Sequence, residues 1–293
     1  MAILELTKAE KEKILVDIAR LAAAAGEGAQ RICGGPSNIK SVILTGEDIA
    51  NIRDAILPLC GDDGRLNMYM YGDWKGLDEV IKNDEPMAIL VMGTDATRSH
   101  LGWNCGACGF ATCGEFNKHA REVREGPTRG RGTAQGGPCC MWLLQDFGIA
   151  VVTAAAAVYE MGVPTRIHTS FGSMAVACGY LDGCMQALGI SVGPWRLGTW
   201  DEWYNRPTMK GTFSLEDIYG DLWRCFPTHF AGFNGRGRPL TKTDPAWQAK
   251  GIYCAHVYDE EYENKRKAAG AKFAEVTAQI RQKVQERRQQ GGK

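Results

Sequence analysis

Three cysteines crowd the stretch "LGWNCGACGFATC" with the spacing Cys105-x2-Cys108-x4-Cys113, and a further one, Cys139, follows in "GGPCCMW". Three clustered thiols with one more distant in sequence, beside a proline, are a common way of supplying the four ligands of an iron–sulfur cluster. Gly106 and Gly109 let the backbone turn tightly around a bulky inorganic group and leave amide N–H groups free to point at its sulfurs. Trp103 and Phe110 would supply an apolar shell that limits water. Zinc is the rival metal, but its tetrahedral sites favour paired short spacings, and the x4 third spacing with a single distant cysteine suits a cluster better. Cys139 is preferred to its neighbour Cys140 as fourth ligand, because Pro138 fixes its approach while Cys140 opens the next helix and is expected to pack inward. A helix beginning there would aim its positive end at an anionic cluster and favour the reduced form.

The chain that must position these thiols has 293 residues, 44% of them hydrophobic, enough for a substantial core. Its 34 basic and 34 acidic residues cancel, so no global field recruits nucleic acid or an anionic membrane. No membrane span is expected, and the N-terminus reads as an amphipathic helix in place of a signal series, so a cytoplasmic location is expected. In a reducing compartment a tight cysteine cluster points to metal binding or redox chemistry, not to disulfides. Cys33, Cys60, Cys178, Cys184, Cys225 and Cys254 share no spacing and are expected to be small buried hydrophobes.

The first hundred residues alternate helix and strand signals. Thr7 and Glu10 form a capping box ahead of Ile14, Leu15, Ile18 and Leu21. The run "SVILT" reads as a buried strand, and Thr45 with Asp48 is expected to cap a second helix. A strand over 67–71, a short helix over 77–81 and an apolar strand over 87–93 complete an α/β pattern. Residues 118–137 lack apolar period and are expected to be loop. An alanine-rich buried helix is expected over 142–161, and a second over 173–188 with "ISVG" as a further strand. The fold class is therefore α/β, a mixed sheet with flanking helices, followed by an irregular, aromatic-rich extension. Phe273, Val276, Ile280 and Val284 draw a narrow apolar stripe on a charged C-terminal helix, which must pack on the domain or on a neighbouring subunit. The expected division is a domain over 1–207 that carries the cysteine loop 101–140, and an extension over 208–293.

With "CGACGFATC", Pro138 next to Cys139, and "DFGIA" at 146–150, the sequence resembles the family of uncharacterised ferredoxin-domain-containing proteins, whose members carry a CGxCGxxxC segment, a PC pair and a helix opening with a similar pentapeptide. The segment "ARLAAAAGEGAQRICGGPSNIKSVILTGEDI" is also similar to that family's opening. The resemblance extends over residues 10–207 and implies a domain bearing a [4Fe-4S] cluster on Cys105, Cys108, Cys113 and Cys139, without implying a reaction. The arginine and glycine loop after Cys113 and the extension after Pro207 depart from the family pattern. A second likeness is to the nitroreductase fold, whose buried dimer helix is similar to the helix that opens on Asp146 and ends "EMGV"; it would allow a flavin such as FMN.

The remaining chemistry-bearing residues carry less. His168, beside Thr169 and Ser170, is the one candidate for a general acid, against a satisfied structural histidine. His100 precedes the cysteine segment, and Asp146 could cap or pair. The basic segment 118–131 could dock an acidic electron carrier or an anionic substrate. There is no Walker loop, GxSxG elbow or HExxH helix. Three functions are consistent with these residues: an iron–sulfur protein passing single electrons to a partner or a bound organic substrate, a reductase with flavin as well, and a non-catalytic structural or assembly subunit. All three fit a homo- or hetero-oligomer with a redox partner protein, and whether the chain is an oxidoreductase in its own right stays open.

Overall fold

The computed structural model describes residues 6–33, 38–61, 68–125, 136–195 and 260–291. These form seven helices and four strands: α1 (Lys8–Glu27), β1 (Lys40–Leu44), α2 (Glu47–Cys60), α3 (Met68–Lys82), β2 (Ala88–Thr94), α4 (Cys113–Glu125), α5 (Met141–Glu160), β3 (Ile167–His168), α6 (Thr169–Ala177), β4 (Gln186–Val192) and α7 (Glu260–Gly291). The strands lie in the order β1-β2-β4-β3 and pair antiparallel throughout, with Val42 opposite Val91 and Ile89 opposite Ser191.

Alternation along β2 builds a core on each face of the sheet. Ile89 and Val91 point into a cluster formed with α2, α3 and α6, whereas Ala88, Leu90 and Met92 point into a second cluster under α1 and α5. Every residue of β2 is buried, as a central strand covered on both faces requires. Small side chains set the closest approaches. A Cβ on Gly26 of α1 would stand 2.7 Å from the Ala150 carbonyl oxygen and 2.9 Å from the Ala154 Cβ on α5. On Gly172 of α6 it would stand 2.1 Å from the Ala187 carbonyl oxygen on β4.

The expected capping box on α1 is present: the Glu10 amide donates to Thr7 Oγ1 at 3.3 Å and the Thr7 amide to Glu10 Oε2 at 2.8 Å. The stripe on α7 packs as expected, with Ile280 and Val284 buried and Phe273 and Val276 half-buried against the α2 and α6 side of the core. Arg281 donates to the carbonyl oxygens of Val176 and Ala177 at the end of α6, at 3.0 and 2.9 Å. Residues 208–259 of the expected extension lie outside the described residues.

Four local expectations are corrected. Residues 68–82 are one helix, not a strand and a helix, because Met70, Leu77 and Val80 bury at helical spacing and Gly72 and Gly76 are tolerated inside it. Residues 118–125 belong to α4, not to a loop. The helix over 173–188 is shorter and earlier, ending at Ala177; Gly179 and Gly183 adopt φ of 80° and 74°, and the chain re-enters the sheet as β4 from Gln186. Thr45 and Asp48 do not form a side-chain cap on α2, which starts after Gly46 at φ 52° with its first turn closed by backbone bonds such as Asp48 N–H to Thr45 O at 3.0 Å. α5 is, by length and composition, long and apolar enough to cross a membrane. Its Leu143, Phe147, Ala150, Val151, Ala154 and Val158 are buried in the domain.

Candidate metal centre

The cysteine segment leaves the end of β2 and is held by polar bonds at both ends. Asn117 of α4 clamps Ser99, accepting from its amide at 2.7 Å and donating to its carbonyl at 2.8 Å. α4 begins at Cys113 because Thr112 and Glu115 form a capping box, each amide donating to the other's side-chain oxygen at 3.1 Å. Phe116 and Ala120 then bury beneath the segment with Ala96, Cys140 and Leu143 in a small third core. Gln186 at the head of β4 ties the returning chain in place. Its side-chain oxygen accepts from the Ala96 amide at 2.7 Å, and its amide group donates to the Gly136 carbonyl. The Cys140 amide then donates to the Ala96 carbonyl at 2.7 Å, fixing the N-cap of α5 beside the segment.

These ties bring four cysteines into the lining of one pocket, Cys105, Cys108, Cys113 and Cys140, among Leu101, Trp103, Phe110, Phe116 and Trp142. Gly106 and Gly109 turn at φ of 72° and 84°, the left-handed conformation the motif needs from glycine. Among the described residues no three His, Cys, Asp or Glu side chains already stand at metal-holding distances. The donor set nevertheless fits a thiolate-bound group. The Asn104 backbone N–H, aided by the Ser99 hydroxyl and the Gly102 and Trp103 amides, holds the Cys113 thiol below its ordinary value against the opposing effect of burial. The Trp142 indole N–H donates to Cys105 Sγ at 3.3 Å, and the Ser99 hydroxyl to Cys113 Sγ at 3.8 Å. The N-terminal residues Cys140, Met141 and Trp142 of α5 form one wall, so the positive end of that helix abuts the pocket.

Cys139 and Cys140 part company here. Cys140 is buried and lines the pocket as the N-cap of α5. The Cys139 thiol instead donates to the Gly136 carbonyl oxygen at 3.4 Å, and burial, with the Asp95 carboxylate and Cys140 nearby, pushes it up.

The other candidate residues lie apart from this pocket. His168 is 2% exposed, its Nδ1 is 2.9 Å from Asp73 Oδ1 and its Nε2 is 3.3 Å from Ser191 Oγ, while its ring stacks on Phe171. With Ser170, which also donates to Asp73, it forms a buried polar network joining α3 to β3, α6 and β4. His100 faces a neighbouring polar hollow with Arg31, Cys33, Asn38 and Asp146. Asp146 is a brace: its Oδ1 accepts from the Ile32 amide at 2.8 Å and its Oδ2 from the Cys33 amide at 3.2 Å, tying the chain after α1 to α5. Burial and that carboxylate push the Cys33 thiol up to about 11. Of the scattered cysteines, Cys60, Cys178 and Cys184 are buried as expected and Cys33 is half-buried; Cys225 and Cys254 lie outside the described residues. Sequence reasoning missed Ser99, Asn104, Asn117 and Gln186, none of which has a spacing signature; the Thr112 to Glu115 capping box was the one visible cue.

Residues 136–194 match the model of a family described as "Uncharacterized protein containing a ferredoxin domain (DUF2148)". That is the family the sequence resembles, and the match runs from the Cys139 and Cys140 pair through α5, α6 and β4. The cluster of Cys105, Cys108 and Cys113 precedes the matched residues. An uncharacterised protein of Archaeoglobus fulgidus (strain ATCC 49558 / DSM 4304 / JCM 9628 / NBRC 100126 / VC-16) is 36% identical over 95 residues, 32% of this chain and 46% of the relative. The chain thus spans less than half of that relative. No solved structure matches. The family's description points to iron–sulfur electron transfer, and the comparisons lend no support to a flavin.

Proposed function

We propose that the protein is an iron–sulfur redox protein in which Cys105, Cys108, Cys113 and Cys140 bind a [4Fe-4S] cluster that exchanges single electrons with a partner protein. The observation that carries this reading is the presence of those four cysteines in the lining of one apolar pocket, with hydrogen-bond donors already aimed at two of the sulfurs. When bound, such a cluster supplies a one-electron couple. The chain's own residues do the rest. The Trp142 indole, the Ser99 hydroxyl and the amides of the 102–104 turn place positive dipoles at the sulfurs, which favours the more negative, reduced state. Leu101, Phe110 and Phe116 keep water from the inner wall, and the exposed side of Trp103 and Cys105 leaves an edge at the surface for electron entry. In this reading Cys140 stands in place of the expected Cys139, because Cys140 belongs to the pocket lining while the Cys139 thiol donates to the Gly136 carbonyl oxygen.

The test is anaerobic purification followed by iron, acid-labile sulfide, zinc and flavin analysis, with visible and EPR spectra before and after dithionite. About four iron and four sulfide per chain, with an EPR signal appearing on reduction, supports the proposal. A colourless protein with stoichiometric zinc refutes it, and flavin released on heating redirects it to a two-cofactor reductase.

A further inference from the structure

Large apolar side chains gather, exposed, around the mouth of the cysteine pocket: Ile32 at 55%, Trp103 at 48%, Leu144 at 42% and Met141 at 38%. Trp103 and Met141 belong to the lining itself. Leu144 lies one turn beyond Met141 on the same side of α5, and Ile32 is held through its amide by Asp146, one turn beyond Trp142. The exposed residues set among them, Gly102, Asn104, Gly106, Ala107 and Gln145, are uncharged. None of the four apolar side chains belongs to the three cores of the described residues, so the fold gains nothing from them. Cys105, also exposed, lines the pocket that this collar surrounds.

The size and the rim of the collar narrow what docks there. Its four side chains expose on the order of 350 Å², less than half of the roughly 800 Å² per partner of a lasting interface and suited to a brief redox encounter. A stable pairing with a second copy of the chain would need more apolar area. The charged groups that adjoin the collar and the lining in the chain are Arg31, Arg98 and His100, against Glu115 and Asp146. The Glu115 carboxylate already accepts from the Thr112 amide, and the Asp146 carboxylate is buried against the Ile32 and Cys33 amides. Arg98 and His100 are exposed on either side of Ser99. This basic excess offsets the negative charge that four thiolates would bring to the mouth, and it suits a partner whose docking face is acidic.

Resting on the reading of the pocket as a one-electron centre, we propose that the collar of Ile32, Trp103, Met141 and Leu144 is the docking surface for an acidic one-electron carrier protein, seated over the exposed side of Cys105. The reduced carrier gives up one electron and is oxidised, and the centre held by the cysteines takes that electron and is reduced, with no proton transferred and no bond made or broken. The apolar contact excludes water from the path between the two centres, while Arg98 and His100 steer the approach.

The probe is an acidic two-cluster ferredoxin, fluorescently labelled and titrated with the full chain under anaerobic conditions. The wild type is expected to bind it with a micromolar Kd. Leu144→Glu and Ile32→Glu are each expected to weaken binding about tenfold, and Tyr159→Glu, roughly 22 Å further along α5 than Leu144, to leave it unchanged. Arg98→Glu is expected to slow association about threefold at low ionic strength and to flatten its dependence on salt. In stopped-flow mixing with the reduced ferredoxin, electron transfer to the Leu144 variant slows by the factor seen in binding, whereas reduction by dithionite keeps the wild-type rate. Iron and sulfide measured on the same samples test the one-electron reading separately: a chain without iron refutes that reading, while the titration still decides the surface. No binding by the wild type, binding indifferent to both collar substitutions, an equal loss in Tyr159→Glu, or a stable wild-type dimer that either collar substitution dissociates would each overturn the proposal.

Discussion

Replacing Trp142 by Phe isolates one hydrogen bond at the proposed centre. The aromatic body stays, and with it the edge contact to Trp103 at 6.2 Å between ring centres, while the donor 3.3 Å from Cys105 Sγ is lost. A hydrogen bond to a charged acceptor contributes roughly 1.5–3 kcal/mol, but only its strengthening on reduction affects the potential. The added electron is shared among four ligands, so about a quarter of that energy, roughly 0.4–0.8 kcal/mol, is redox-linked. Water can reach this exposed bond and replace part of it, which places the effect at the low end. At about 59 mV per tenfold change for one electron, 0.5 kcal/mol corresponds to roughly 20 mV. The variant is therefore expected to have a midpoint potential about 20 mV lower, read by EPR-monitored titration, with its iron content unchanged. A potential that is unmoved or raised, with iron retained, would refute the assignment of Trp142 as a donor to a cluster ligand.

Other outcomes follow from the same structure. In the metal-free protein Cys113, its thiol held low by the amides around it, is expected to react with iodoacetamide before Cys139, whose thiol is pushed up. The thiolate of a lowered group persists as pH falls, so the rate ratio read by peptide mass spectrometry should be largest below the ordinary thiol value and shrink as pH rises past it. Gly172→Ala is expected to cost more than about 3 kcal/mol in chemical denaturation, because its Cβ would overlap β4 backbone that cannot yield. Ile280→Ala on α7 should cost about 2–4 kcal/mol if the C-terminal helix belongs to the domain core.

Much of this architecture was legible because its signals are local and periodic. The capping box of Thr7 and Glu10, the unbroken apolar run of β2 and the alanine-rich α5 each announce themselves within a few residues. α4 was not, since only Phe116 and Ala120 bury, too narrow a stripe to stand out from its charged neighbours. α3 was split because Met70 and Tyr71 adjoin a glycine, although their partners on α2 supply the burial that makes one continuous helix. At the site, spacing singled out the cluster of Cys105, Cys108 and Cys113, but the choice between Cys139 and Cys140 depended on long-range ties. The bonds from Gln186 to Ala96 and Gly136, and from Cys140 to Ala96, bring Cys140 to the wall of the pocket. No short-range pattern reports a partner ninety positions away in the chain. His168 shows the converse, a histidine beside hydroxyls whose meaning came from Asp73 on a distant helix.

The most direct test of the central claim is the iron and sulfide content of Cys139→Ser and Cys140→Ser, each purified anaerobically beside the wild type. The structure predicts that the Cys139 variant keeps its iron, sulfide and EPR signal while the Cys140 variant loses them. Loss in the Cys139 variant with retention in the Cys140 variant would contradict the assigned ligand set, and a wild type that holds zinc in place of iron would contradict the cluster itself.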